Sequence, residues 1–181
     1  MSSPSLDRLS FFVALAALPA SSGCTWLGTL EAGGVTSPTG REGRSGVAVE
    51  ARGAFGDDHV LPGVGMNAKV TRDVVSVGPA VEMTFLFAER SSPVEPFVTA
   101  GVTPVGFGSV DGRFTTSVLS PRMRGGAYFP FGSMNVGGRT LRGPTAIVVS
   151  GFAEYDLRAS GPKSEAFVGG TVGFGYFFQI F

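Results

Sequence analysis

Asp57, Asp58 and His59, in the stretch GDDHVLPG, are the residues with the most obvious capacity for chemistry. A carboxylate next to an imidazole can orient it as a general base that activates water. His59 is the only histidine of the chain, and base catalysis needs an oriented set of partners that adjacency in sequence does not supply. The stretch opens with Gly-Asp-Asp between two apolar runs, a turn composition. It therefore reads first as a solvated loop. Metal chemistry has less support, because one histidine and a single distant cysteine, Cys24, cannot make up a usual ligand set.

Gly169, Gly170, Gly173 and Gly175 could cradle a phosphate, but no helix follows them, and a phosphate loop needs one. There is no Gly-x-Ser-x-Gly nucleophile elbow. Arg122, Arg124, Arg139 and Arg142 carry charge that could meet lipid phosphates, but such arginines are more often turn and rim residues. No catalytic residue, cofactor or metal is expected.

The elements around these residues are more informative. Fourteen basic residues balance fourteen acidic ones in 181 residues, so no net charge points to nucleic acid. Charged residues make up 15% of the chain, well below the share of about 25% in ordinary soluble domains. Glycine, at 28, and phenylalanine, at 16, are abundant. Glycine disfavours helices and aromatics favour strands.

The N-terminus has the features of an export signal over residues 1–23. Arg8 gives a weakly positive start and Leu9 to Ala20 form an apolar run, too short to span a bilayer and of signal-peptide length. The segment Ser21-Ser22-Gly23-Cys24 resembles the lipobox of bacterial lipoproteins, which implies acylation of Cys24. Cleavage after Ser22, with Ala20 and Ser22 as the small pair, stays open as an alternative. Residues 24–44 are rich in Gly, Thr and Ser without sustained period, and the expectation is a lipidated or flexible arm.

From residue 45 onward a two-residue alternation takes over. In SGVAVEARGAF, Val47, Val49, Ala51 and Phe55 oppose Ala48, Glu50, Arg52 and Ala54. In GPAVEMTFLFAER, Val81, Met83, Phe85 and Phe87 oppose Glu82, Thr84 and Leu86. In TAIVVSGFAEYDLR, Ile147, Val149, Ala153, Tyr155 and Leu157 oppose Ser150, Glu154, Asp156 and Arg158. Weaker candidates cover 64–72, 95–107, 112–120 and 122–131, and a last strand starts at Glu165. That makes about eight strands by alternation. Asp111-Gly112 is a hairpin signal, whereas 133–143 is left as a connection.

The last strand sets the polarity. Val172, Phe174, Tyr176 and Phe178 form a bulky apolar face, and Thr171, Gly173 and Gly175 a small one. Apolar bulk outside with small or polar residues inside is the pattern of a membrane barrel, and glycine suits the narrow interior of a small one. On this pattern Glu50, Arg52, Glu82, Glu154 and Arg158 face the lumen. Val81, Met83, Phe85, Phe87, Phe174, Tyr176 and Phe178 face lipid.

The ending GFGYFFQIF resembles the closing strand of bacterial outer-membrane β-barrels, and VEPFVTAGVTPVGFG and GPAVEMTFLF resemble paired strands of their small eight-stranded members. The resemblance implies an all-β, antiparallel up-and-down β-barrel of about eight strands over 45–181, in the outer membrane. Outer-membrane lipid surrounds such a barrel, and the barrel-assembly machinery reads a C-terminal aromatic such as Phe181. Some barrel enzymes place serine closely after histidine; here Val60, Leu61 and Pro62 follow His59. The expected role is structural or interactive, and not enzymatic. The alternative is a membrane-tethered lipoprotein whose soluble β-barrel or sandwich binds a small apolar ligand.

Overall fold

A computed structural model describes residues 24–38, 44–57, 59–87, 92–136, 139–159 and 163–180, with the backbone alone at 24, 133–136, 139–143 and 178–180. The expected signal segment, residues 1–23, lies outside the described residues. Eight strands follow one another: β1 Cys24–Thr36, β2 Ser45–Gly56, β3 Val60–Thr71, β4 Val74–Leu86, β5 Glu95–Val110, β6 Arg113–Val136, β7 Arg139–Asp156 and β8 Glu165–Ile180. Each pairs antiparallel with the next, and β8 pairs with β1 to close the barrel. Closure satisfies every strand edge along the wall, which an open sheet of such weakly charged strands could not do.

The eight strands divide the chain differently from the sequence pattern. The arm expected over 24–44 is, from Cys24 to Thr36, strand β1, which seals the barrel between β2 and β8. Its alternation is hidden because both faces mix small and apolar residues. Trp26, Leu30 and Gly34 point out, while Leu27, Thr29 and Val35 point in. In the other direction, the candidates at 112–120 and 122–131 are one strand, β6. Pro121 interrupts the pattern but sits on the exposed face opposite Val102, where a missing N–H is tolerated only if the ladder is locally irregular. The irregularity is next to it, at Leu119, whose φ is 51°.

The expected connection at 133–143 continues the β6–β7 ladder as far as Val136 and Arg139. Pairing with β5 stops at Tyr128 and β7–β8 pairing at Thr145, so this hairpin extends past the wall. At the opposite end Asp111 and Gly112 form the two-residue β5–β6 turn with φ of 50° and 74°. Two consecutive positive φ values match the right-handed twist of the strands, and Asp-Gly tolerates them.

The barrel has two ends. Of the described residues, the chain-end rim carries Cys24, Ile180, 57, 59, 87 and 92–94; the far mouth carries 37–38, 44, 72–73, 111–112, 157–159 and 163–164. Inside, an apolar layer at the chain end comprises Leu27, Ala54, Leu61, Leu86, Phe97, Tyr128, Ala146 and Val148, with Phe177 packed against it. A second layer, of Val35, Ala48, Val74, Val110, Phe152 and Phe167, lies toward the far mouth. Polar side chains fill the level between them. Outside, the wall is apolar: Leu30 is 61% exposed, Val64 66% and Phe174 69%.

Candidate functional site

Alternation along six strands delivers eight ionisable side chains to the level between the apolar layers. They are Glu31 from β1, Glu50 and Arg52 from β2, Lys69 from β3, Glu82 from β4, Arg122 and Arg124 from β6, and Glu154 from β7. All belong to ion pairs. Glu50 is gripped by Arg52 and Arg122, and Arg124 Nε stands 3.9 Å from it. Arg52 Nη1 reaches Glu82 at 3.2 Å and Arg122 Nε reaches its other oxygen at 3.5 Å. Lys69 Nζ donates to Glu154 Oε1 at 2.6 Å.

Arg124 also pairs with Glu31 and donates through Nε to Ser150 Oγ at 2.9 Å. Thr171 Oγ1 donates to Glu31 at 2.9 Å. Four cations thus face four carboxylates and the belt is neutral. Neutrality is what burial demands, since an unpaired charge in such surroundings costs several kcal/mol, roughly.

Aromatic side chains roof the belt on both sides. The Arg124 guanidinium lies 4.8 Å from the Phe97 ring centroid, Lys69 Nζ 4.7 Å from that of Phe167, and Arg122 5.7 Å from that of Phe152. At the chain end Phe97 and Tyr128 pack with centroids 4.4 Å apart and Phe177 meets Tyr128 edge-on at 4.9 Å. A cavity beneath them, lined by Leu27, Thr29, Arg52, Glu82, Arg124 and Tyr128 among others, has a volume of about 10 Å³. That is at the lower limit of what a single water needs.

A second charged group closes the far mouth. Arg44, from the β1–β2 loop, lies 3.2 Å from Glu165, 3.6 Å from Asp111 and 3.9 Å from Asp73. One guanidinium therefore links the β3–β4 turn, the β5–β6 turn and the first residue of β8. Arg158 pairs with Glu165 at 3.0 Å and Asp156 at 3.4 Å.

Among the residues singled out in the sequence, Glu50, Arg52, Glu82 and Glu154 lie in the belt and Arg158 at the mouth, all pointing inward. Val81, Phe85, Phe87, Phe174 and Tyr176 are exposed on the outer wall and Met83 is half-exposed there. The side chain of Phe178 lies outside the described residues. Arg122 and Arg124 are not rim residues: both are buried at mid-barrel, because the inward parity of β6 runs unbroken through Ser120, Arg122 and Arg124. Splitting the strand at Pro121 conceals this. Glu31 and Lys69 were missed as well, the first inside the supposed arm, the second in a strand of weak contrast. Arg139 and Arg142 lie on the β6–β7 hairpin, and nothing is described of their side chains.

His59 is exposed in the β2–β3 connection, and Asp58 lies outside the described residues. Asp57 Oδ1 accepts the backbone N–H groups of His59 at 2.8 Å and Val60 at 2.7 Å. These two bonds hold its carboxyl below the usual carboxylate range. Asp57 thus shapes the turn that starts β3. Among the described residues no three His, Cys, Asp or Glu side chains converge as a metal site.

Fold and polarity together define a closed, filled, eight-stranded antiparallel barrel with a paired charged belt inside and an apolar outer wall. Solved structures share this architecture. The crystal structure of Neisserial surface protein A (NspA) matches with a TM-score of 0.62 and 14% identity, covering 88% of this chain and 100% of that one. The N-terminal β-barrel domain of Pseudomonas aeruginosa OprF matches with a TM-score of 0.52 and 14% identity, covering 87% of this chain and 100% of the domain. No family model and no curated protein matches. At this identity the likeness is one of fold, and function has to be argued from the chain's own residues.

Proposed function

We propose that the protein is a small β-barrel of the bacterial outer membrane with a structural or interaction role and no catalytic one. The observation that carries this reading is the inverted polarity. Side chains such as Leu30, Val64, Val172 and Phe174 are more than half exposed around a continuous wall, while the charges of the belt are buried in pairs. Water would penalise that wall; hydrocarbon would not. Trp26 and Phe55, neighbours in register near the chain-end rim, supply aromatic side chains of the kind that favours a membrane–water interface. The fold shared with NspA and the OprF domain supports the reading.

Export through residues 1–23 and acylation of Cys24 complete it. Cys24 heads β1, opposite Ile180, so an acyl chain there would enter the membrane at the chain-end rim. The filled interior argues against a soluble barrel that holds an apolar ligand, and against a wide pore. Heat-modifiability tests the reading: an unboiled sample should migrate faster in SDS gels than a boiled one and should stay with membranes in alkaline carbonate. If Cys24→Ala releases a folded, fully soluble protein, the membrane-spanning barrel is wrong.

A further inference from the structure

The cations whose side chains are described fall into two groups. Those whose side chains are described and paired are Arg44, Arg52, Lys69, Arg122, Arg124 and Arg158. The remaining described ones, Arg72, Arg113 and Lys163, are exposed and have no acidic partner among the described residues. All three lie at the far mouth: Arg72 in the β3–β4 turn, Arg113 at the first residue of β6, and Lys163 in the β7–β8 connection. The acids described at this mouth, Asp73, Asp111, Asp156 and Glu165, are instead engaged by Arg44 and Arg158. The apolar wall begins immediately below the free cations. Val70 precedes Arg72 by two residues and is 51% exposed; Phe114 follows Arg113 and is 74% exposed.

We infer that Arg72, Arg113 and Lys163 form a basic collar that binds the phosphate groups of anionic lipids in the leaflet around the far mouth. This rests on the membrane reading above. Two connections and the first residue of β6, spread from β3 to β8 around the circumference, contribute one cation each. That arrangement fits a surrounding layer of anions better than one discrete ligand, which would need the cations to converge. Cations on long flexible stems, placed where an apolar wall ends, sit at headgroup depth and can bury their methylenes against the wall. Near an anionic lipid surface each contributes about a five-fold preference, weakened by salt.

The test uses the full chain refolded into phosphatidylcholine vesicles containing either spin-labelled phosphatidylglycerol or spin-labelled phosphatidylcholine. Averaged over the whole perimeter, the immobilised fraction should favour phosphatidylglycerol by about two- to five-fold at low salt, and by less at high salt. The triple variant Arg72→Gln, Arg113→Gln, Lys163→Gln should lose the preference while still showing heat-modifiable migration. Arg72→Lys with Arg113→Lys should keep it, which separates charge from shape. A preference that survives in the triple variant, or one absent from the unmodified chain, overturns the collar and leaves the barrel reading intact. A chain that fails to enter vesicles of either composition overturns both.

Discussion

Lys69 of β3 and Glu154 of β7 meet inside the barrel, Nζ to Oε1 at 2.6 Å, with both side chains almost wholly buried. The two strands are not neighbours in the wall, so the bond crosses the interior. Replacing Lys69 by Met would leave Glu154 with Arg122 Nη1, at 4.0 Å, as its one cationic partner among the described residues. The expected cost is about 3–5 kcal/mol, the penalty for stranding one member of a buried pair. Adding Glu154→Gln should recover much of it, because the stranded charge is then gone. Denaturant unfolding of vesicle-inserted protein gives both values, and a double-mutant cycle extracts the coupling. Equal stability of Lys69→Met and the unmodified chain would show that the pair does not form.

The glycines of the wall divide into those that closure requires and those that it does not. A Cβ built at Gly173 would lie 2.0 Å from the Leu30 carbonyl oxygen and 2.6 Å from Glu31 Cα, whereas one at Gly34 meets nothing within 4 Å. Gly173→Ala should therefore prevent β8 from closing on β1 or cost more than about 2 kcal/mol, as backbone clashes do. Gly34→Ala should change stability by roughly 0.5 kcal/mol or less, the usual range for a surface substitution. The ratio of compact to expanded bands in unboiled gels compares the two directly.

The sequence made the strands legible where the two faces differ in chemistry, as Val81, Met83 and Phe85 differ from Glu82 and Thr84. It hid β1, where glycine, threonine and leucine occupy both faces, and it hid the continuity of β6 behind Pro121. The total of eight strands matches because one strand was missed and another was divided. The charged belt was half legible for the same reason. Glu50, Arg52, Glu82 and Glu154 lie in clearly alternating strands, while Glu31, Lys69, Arg122 and Arg124 lie where the alternation is weak or interrupted. Their pairing is a tertiary property: Arg124 meets Glu31 across 93 residues of chain, and no local pattern encodes that.

The β2–β3 turn should show a pH dependence of fixed sign. Asp57 has a carboxyl held below its ordinary value of 3.8, first by the His59 N–H and then by the Val60 N–H. A lowered folded-state value means that ionised Asp57 stabilises the turn above pH 3.8 and that this contribution fades as pH falls through the lowered value. Asp57→Ala should speed hydrogen exchange at the His59 and Val60 amides near neutral pH, and should remove the acid-dependent step in that exchange. Asp57→Asn, which keeps an acceptor oxygen, should protect both amides without the pH step. His59→Ala should leave this protection in place, since the bond uses its backbone N–H. Loss of protection in that variant would assign the imidazole a role in the turn that the geometry does not give it.

The outer wall offers the sharpest contrast between hydrocarbon and water. Val172 lies at mid-wall on β8, paired with Ala32 on one side and Val149 on the other, and is 57% exposed. In a bilayer, Val172→Arg should cost about 2–4 kcal/mol, while Phe114→Arg, beside the far mouth, should cost about 0–1 kcal/mol, because the penalty falls toward the interface. In water the same Val172→Arg change would stay within about 0.5 kcal/mol, as at any exposed site. Trp26, the only tryptophan and 45% exposed on the wall, reports the insertion. Its emission should shift to the blue on entry into vesicles and be quenched by lipids brominated near the headgroup. A depth-independent response of stability to these two arginines, together with a Trp26 that brominated lipids do not quench, would place the wall in water.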